Sequence, residues 1–215
     1  MRQGQRHEGE RAAYLELLSH ELRTPVTSIH AAATILRARE PRTNDALRTE
    51  LVGDIAEESQ RLLRTIEDVL MLAQLEAGVP MRREPLLLQR IVPLLLSGEC
   101  LRRPGVGIEL VESGPLPLVE GDESGLAHVI RDLLAESGAS AEPYVMVELR
   151  ASDADGAEVR VVDDGPEQPV SFALSRHASQ RVMEAMGGRT WVRPRADGRV
   201  ERGLWLPAFR RMADD

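Results

Sequence analysis

A series of seven apolar residues near the N-terminus is spaced alternately by three and four positions. The series consists of Leu15, Leu18, Leu22, Pro25, Ile29, Ala32 and Leu36. This spacing is typical of the apolar seam of a helical bundle or coiled coil, and it predicts one long helix from about Gly9 to Arg39. Pro41 ends the pattern, and residues 43–45 (Thr-Asn-Asp) provide capping side chains for a second helix.

The second predicted helix also has one apolar face, and it ends near residues 78–80. The face consists of Leu51, Ile55, Leu62, Ile66, Val69 and Ala73. Each helix has about 30 residues and would therefore be on the order of 45 Å long. Because a hairpin of two such helices leaves a wide apolar stripe uncovered, we expect a homodimer that forms a four-helix bundle.

After Pro80, short apolar runs alternate with helical segments. Strands are predicted at 108–111, 116–119, 145–149 and 159–162 and around the two tryptophans, and helices at 89–97, after Asp122 and at 181–186. Strands and helices interleaved in this way indicate an α/β sandwich. The predicted fold class is therefore α + α/β, with a helical hairpin over residues 1–79 and a sandwich over 80–215.

Charge and composition exclude several classes of partner. The net charge is −8 and the basic residues are scattered, which argues against nucleic acid or an anionic membrane surface as a partner. All 27 basic residues are arginine, so no mechanism that needs a lysine is available. With one cysteine, Cys100, and no apolar run near 18 residues, we expect a cytoplasmic protein without direct membrane insertion.

His20 lies on the solvent side of the first helix if the seam is correct. With Leu15, Leu18 and Leu22 at seam positions, His20 occupies the most outward position of the heptad. Thr24 shares its face one turn along, and Glu21 can approach the imidazole from the flank. A carboxylate that holds one ring nitrogen protonated leaves the other free to attack phosphorus. On spacing alone, however, an ordinary surface histidine is the better explanation, because a lone exposed histidine on a helix usually has no chemical role.

The stretch LLSHELRTPVTSI, residues 17–29, resembles the H-box of two-component sensor histidine kinases. It includes the helix-interior proline that propensity alone would forbid. This resemblance implies that His20 is the phosphoacceptor and that residues 1–79 form the dimerisation and histidine-phosphotransfer domain. It further implies that His20, Glu21 and Thr24 match the pattern with which this family dephosphorylates its response regulator, with the threonine orienting the attacking water.

Residues 80–210 resemble the ATP-binding α/β sandwich of the same family, but with substitutions at its chemical positions. In the segment that resembles the N-box, Glu136 stands where the family has the asparagine that holds Mg²⁺. A glutamate is still a hard oxygen donor, so Glu136 is a candidate metal ligand. Asp163 and Gly165 remain from the first glycine box, where the resemblance implies a remnant of the adenine pocket. A simple turn after a strand explains them as well.

The segment after this box departs furthest from the family. Seven residues, Gln168 to Leu174, separate it from the next predicted helical segment near Ser175, where the family has a mobile lid of a few dozen residues. The Gly-x-Gly turn whose backbone would cradle phosphates is replaced by Ala173, Leu174 and Ser175. Because determinants of phosphate, metal and lid are missing together, we expect that ATP-dependent autophosphorylation has been lost.

Three functional hypotheses follow. The first is a two-component signal transduction protein that acts as a histidine phosphotransferase or response-regulator phosphatase without its own kinase step. Its partner would be a response regulator receiver domain, with an upstream sensor protein as a second candidate. The chain would need no cofactor, since the Mg²⁺ would come from the regulator. The alternatives are an active sensor histidine kinase, which would need ATP and Mg²⁺, and a non-enzymatic dimeric adaptor.

Overall fold

In a computed structural model, the chain forms two compact units, Met1–Leu70 and Met71–Asp215. The structure describes residues 2–38, 44–102, 106–138, 144–163 and 172–210, with residues 2–15, 101, 102 and 138 as backbone alone. Among these residues, no helix is both long enough and apolar enough to cross a membrane.

The first unit is a pair of long helices. Helix α1 spans Arg2–Ala38 and helix α2 spans Asp45–Glu76, its last turns belonging to the second unit. Helix α1 continues through Pro25, which is buried. The predicted seam is confirmed on this helix, because Leu18, Leu22, Ile29 and Leu36 are half-buried and Pro25 and Ala32 are buried. Pro41, which was predicted to end the first helix, lies outside the described residues.

A second set of apolar side chains on the hairpin remains exposed. It consists of Val26, Ile35, Leu47, Val52, Leu63, Ile66 and Leu70. On α2, Val52, Leu63, Ile66 and Leu70 share one helix face and are 43% to 57% exposed, as expected for the uncovered apolar stripe of a hairpin on its own. Ile66, which was predicted on the same apolar face as Leu51, therefore lies in this exposed stripe instead.

The second unit contains a five-stranded sheet, a two-stranded sheet and three helices. Its elements in chain order are β1 (Glu84–Leu86), α3 (Leu88–Arg102), β2 (Gly107–Ser113), β3 (Val119–Gly121), α4 (Glu123–Gly138), β4 (Tyr144–Ser152), β5 (Gly156–Asp163), α5 (Ala173–Ala185), β6 (Arg189–Pro194) and β7 (Val200–Pro207). The large sheet has the strand order β2-β4-β5-β7-β6, with β2 parallel to β4 and the other pairs antiparallel. The small sheet pairs β1 with β3.

One hydrophobic core joins the three helices to one face of the large sheet. Alternate residues of the central strands point into it, among them Val159 and Val161 on β5 and Leu204 and Leu206 on β7. Because side chains alternate between the two faces of a strand, Asp163 and Arg202 continue these same inward registers. This register brings two charged side chains into the layer between sheet and helices.

Three local predictions differ from the structure. Strand β3 begins at Val119 rather than at Leu116, since Pro115 and Pro117 cannot donate to a sheet ladder. Helix α5 begins at Ala173, two residues before the predicted start near Ser175 and well before the periodic part at 181–186, because its first turns carry small and polar residues with little apolar periodicity. Strand β1 was not predicted, as a three-residue strand has too few positions to show an alternating pattern.

Candidate functional site

His20 projects from α1 into solvent, with 72% of its side chain exposed. Thr24, one helical turn along the same face, is exposed too. The seam residues on the other side of the helix fix this orientation. The imidazole is therefore open to solvent on this face of the helix.

Glu21 lies beside His20 but is buried, with a relative exposure of 5%. Its Oε1 atom is 3.9 Å from Nδ1 of His20, beyond hydrogen-bond distance but within reach of a small side-chain rotation. Its Oε2 atom accepts a hydrogen bond of 3.4 Å from Nη2 of Arg61 on α2. The carboxylate thus lies between the imidazole and a guanidinium of the second helix.

The hydroxyl group of Thr24 is tied to the backbone of α1. It donates a hydrogen bond of 3.1 Å to the carbonyl oxygen of His20. A hydroxyl oxygen that donates its proton inward keeps its lone pairs as acceptors on the outer side. Thr24 can therefore accept a hydrogen bond from a water molecule near the imidazole, as its predicted role requires.

In the second unit, the structure brings Glu136 and Asp163 to one arginine. Arg202 of β7 donates a hydrogen bond to Oδ2 of Asp163, and its Nε atom lies 3.2 Å from Oε1 of Glu136. Arg202 has no solvent exposure, while Asp163 and Glu136 are 1% and 4% exposed. The guanidinium therefore lies buried between the two carboxylates that the family resemblance associates with adenine and Mg²⁺.

A second arginine completes this cluster. Arg176 at the start of α5 donates two hydrogen bonds to Oε1 of Glu136, one of them 2.7 Å long from its Nε atom. Two guanidinium groups and two carboxylates give a formal charge of zero. Such compensation is what allows four charged groups to lie largely out of water. We call Glu136, Asp163, Arg176 and Arg202 the arginine cluster.

The arginine cluster engages one oxygen of each carboxylate. Arg202 contacts Oδ2 of Asp163, and both arginines contact Oε1 of Glu136. A base or a cation at these particular oxygens would have to displace a guanidinium, which is costly in a low-dielectric interior.

A cavity of about 360 Å³ lies next to the arginine cluster, between α4, α5 and β6. Its wall includes Asp132 and Glu136, one helical turn apart on α4, together with Arg176 of α5. Asp132 accepts a hydrogen bond of 2.7 Å from the hydroxyl of Ser179. The cavity is large enough for a small molecule, but its charged groups already have partners, Glu136 with Arg176 and Asp132 with Ser179.

Sequence reasoning placed His20 and Thr24 on one face and Glu21 at the flank, and the structure brings these three together. Gly165, assigned to the remnant nucleotide pocket, lies outside the described residues. Sequence reasoning missed Arg61, Arg176 and Arg202. One signal for Arg202 was available: an arginine occupies the inward register of a strand that otherwise carries Val200, Leu204 and Leu206 there.

The exposed histidine on a helical hairpin and the α/β sandwich define a class of two-domain proteins that carry phosphoryl groups on histidine. Residues 10–78 match the model of the His Kinase A (phospho-acceptor) domain. The probable sensor histidine kinase TcrY of Mycobacterium tuberculosis is 32% identical over 156 residues, which cover 72% of this chain and 32% of TcrY. The chain belongs to the sensor histidine kinase family.

One further protein is similar to the chain in sequence, and one solved structure is similar to it in fold. The signal transduction histidine-protein kinase/phosphatase MprB of Mycobacterium avium is 29% identical over 180 residues, covering 78% of this chain and 34% of MprB. The histidine kinase ThkA, solved in complex with the response regulator protein TrrA, has the same fold, with a TM-score of 0.63 at 17% identity. That match covers 97% of this chain and 64% of the solved one. The chain spans about a third of the length of the curated relatives that it matches.

Proposed function

We propose that this chain exchanges phosphoryl groups between His20 and the aspartate of a response regulator receiver domain, or assists the dephosphorylation of that aspartate. We further propose that its own ATP-dependent step has been lost. The observation that carries the second part is the arginine cluster, in which Arg202 is hydrogen-bonded to Asp163 and paired with Glu136. The first part is supported by the exposed His20 with Glu21 and Thr24 beside it.

The chemistry proposed for His20 needs no cofactor on this chain. The Nε2 lone pair of His20 forms a bond to phosphorus, the bond from phosphorus to the regulator's aspartate oxygen breaks, and the carboxylate leaves with the electron pair. The ring gains positive charge in this step, which the carboxylate of Glu21 near Nδ1 stabilises. Phosphoryl transfer depends mainly on positioning and charge, so a rigid hairpin is a sufficient contribution from this side.

In the phosphatase reaction, water takes the place of the imidazole. The outward lone pairs of the Thr24 hydroxyl accept a hydrogen bond from that water and orient it toward the regulator's phosphorus. The relative MprB, whose name includes both kinase and phosphatase, supports this dual assignment. We also propose that the exposed apolar side chains of the hairpin are covered by a second copy of the chain, which gives a homodimer.

An active sensor histidine kinase is the second candidate. It is favoured by the family assignment and by relatives such as TcrY that are named as kinases. This candidate requires that the arginine cluster opens to admit ATP and Mg²⁺.

Two incubations separate the candidates. In the first, labelled MgATP is added: we expect no label on His20, whereas acid-labile, alkali-stable label that disappears in His20→Ala would establish the kinase. In the second, a panel of receiver domains phosphorylated with a small acyl phosphate is added. We expect transfer to His20 or faster loss of the aspartyl phosphate. Neither result would be found for a non-enzymatic adaptor.

A further inference from the structure

The carboxylate of Glu21 is shared between a basic group on each helix of the hairpin. Its Oε1 atom faces Nδ1 of His20 at 3.9 Å, and its Oε2 atom accepts a hydrogen bond of 3.4 Å from Arg61. The exposure of the side chains rises from 6% for Glu21 and 26% for Arg61 to 72% for His20. Glu21 is thus the most buried of the three, with Arg61 bound to one of its oxygens and His20 facing the other.

We propose that Arg61 is a positioning residue for His20 that acts through Glu21. This inference deepens the proposed function, since it concerns how His20 is prepared for phosphoryl transfer. A guanidinium is a planar, permanently charged donor that binds a carboxylate with defined geometry. Arg61 thereby limits the rotation of Glu21. A carboxylate held in this position faces Nδ1, and a small rotation of the exposed imidazole lets Nδ1–H donate a hydrogen bond to it, which leaves the Nε2 lone pair directed to solvent.

The other polar neighbours of His20 on α1 have different partners. Arg23 donates a hydrogen bond of 3.2 Å to the hydroxyl of Ser19, and Thr24 donates to the backbone carbonyl of His20. Among the contacts described for the hairpin, the charged group nearest the imidazole is Glu21 of α1, with Arg61 of α2 behind it. An effect of Arg61 on the ring should therefore pass through Glu21.

The test is the tautomer of neutral His20, read from ring-nitrogen NMR correlations of the full chain labelled with ¹⁵N-histidine at pH 8.5. His20→Ala identifies the signal. We expect the Nδ1–H tautomer in the unaltered chain and a smaller share of it in Arg61→Gln and in Glu21→Gln. The double variant should match Glu21→Gln, because the proposed effect of Arg61 passes through Glu21. Arg61→Lys, which keeps the charge, should recover part of the share.

Arg48→Gln is the matched control, since it removes the same charge from α2 about 20 Å along the helix from residue 61. It should leave the tautomer unchanged. Helical circular dichroism confirms that the Arg61 variants are folded. Additive effects in the double variant, or a larger Nδ1–H share in Arg61→Gln, would overturn the positioning role.

The transfer reaction supplies a second readout. We expect Arg61→Gln to lower kcat for transfer on the order of 10-fold with KM for the receiver domain unchanged, because the imidazole is less well oriented. If the unaltered chain shows no transfer while the tautomers still depend on Arg61, the proposed function fails and the positioning role stands. If transfer occurs but the share of the Nδ1–H tautomer is the same in Arg61→Gln as in the unaltered chain, the positioning role fails and the function stands.

Discussion

Arg202 and Asp163 form a hydrogen-bonded ion pair across the neighbouring strands β7 and β5, and neither side chain reaches solvent. Residue 202 lies opposite Val161 in the sheet register, two positions from Asp163 and on the same inward face. Its guanidinium can thus approach both Asp163 and Glu136 of α4. An inward arginine at this position couples the sheet to the helix layer by charge rather than by apolar packing.

Arg202→Met should destabilise the second unit by about 3–5 kcal/mol. The substitution leaves Asp163 and Glu136 buried with one fewer cation, and an uncompensated buried charge has a cost of this size. Urea unfolding followed by tryptophan fluorescence measures the effect, because both tryptophans, Trp191 and Trp205, lie in this unit. A loss below about 1 kcal/mol would contradict the buried ion pair.

A charge-compensated variant is the control for this prediction. Arg202→Met combined with Asp163→Asn removes one cation and one carboxylate charge, and it leaves Arg176 paired with Glu136. Replacing both members of a buried ion pair is often close to neutral, so this variant should recover most of the lost stability. If it is as unstable as Arg202→Met alone, the loss reflects packing rather than charge.

Thr24→Val should slow the dephosphorylation of a phosphorylated receiver domain by on the order of 10- to 100-fold, because the water loses the acceptor that orients it. Transfer to His20 should change little, since valine has nearly the same shape. Thr34→Val is the matched control: Thr34 makes the same kind of hydrogen bond to a backbone carbonyl, at 2.8 Å, about 15 Å further along α1. Equal effects of both variants would indicate a change in the helix instead.

Leu63→Glu combined with Leu70→Glu should convert the proposed homodimer into a monomer. The two leucines are 54% and 57% exposed on α2, and with Ile66 they follow the spacing of three and four that places residues on one helix face. Burying two carboxylates there would cost more free energy than the apolar contact contributes to dimerisation. Light scattering after size exclusion measures the mass. Leu94→Glu on α3, at a leucine that is 68% exposed, should leave the mass unchanged.

The hairpin could be predicted from sequence because its signals are long and periodic. The seam from Leu18 to Leu36 determines which side of α1 faces inward. The exposure of His20 on the opposite side follows from it. A short element without periodicity, such as β1, could not be predicted in this way, and neither could the exact first residue of α5. Their bounds depend on pairing and packing with distant residues.

The arginine cluster could not be predicted because its members are far apart in sequence. Glu136, Asp163, Arg176 and Arg202 lie on four different elements, and each one alone looks like a substitution at a family position or a surface charge. Their contact arises from the register of β5 and β7 and from the packing of α4 and α5 against one sheet face. Sequence reasoning recognised Glu136 as a substitution but not what contacts it.

Asp122, which caps α4 as predicted, should make the stability of the second unit depend on acid pH. Burial raises the pKa of Asp122, but hydrogen bonds from the Ser124 hydroxyl and from the backbone N–H groups of Gly125, at 3.0 Å, and Arg82, at 3.1 Å, together lower it below its ordinary value of about 3.9. A carboxyl group whose pKa is lower in the folded state stabilises that state fully above its unfolded pKa, and this contribution is lost as the pH falls through the folded pKa.

Asp122→Ala should therefore lower the free energy of unfolding by about 1–2 kcal/mol at pH 7 and by markedly less near pH 2, as measured by urea unfolding followed by tryptophan fluorescence. Asp122→Asn keeps one acceptor for the cap and should cost less at pH 7. A difference between the unaltered chain and Asp122→Ala that is the same at both pH values would show that the charge of this carboxylate has no part in the cap.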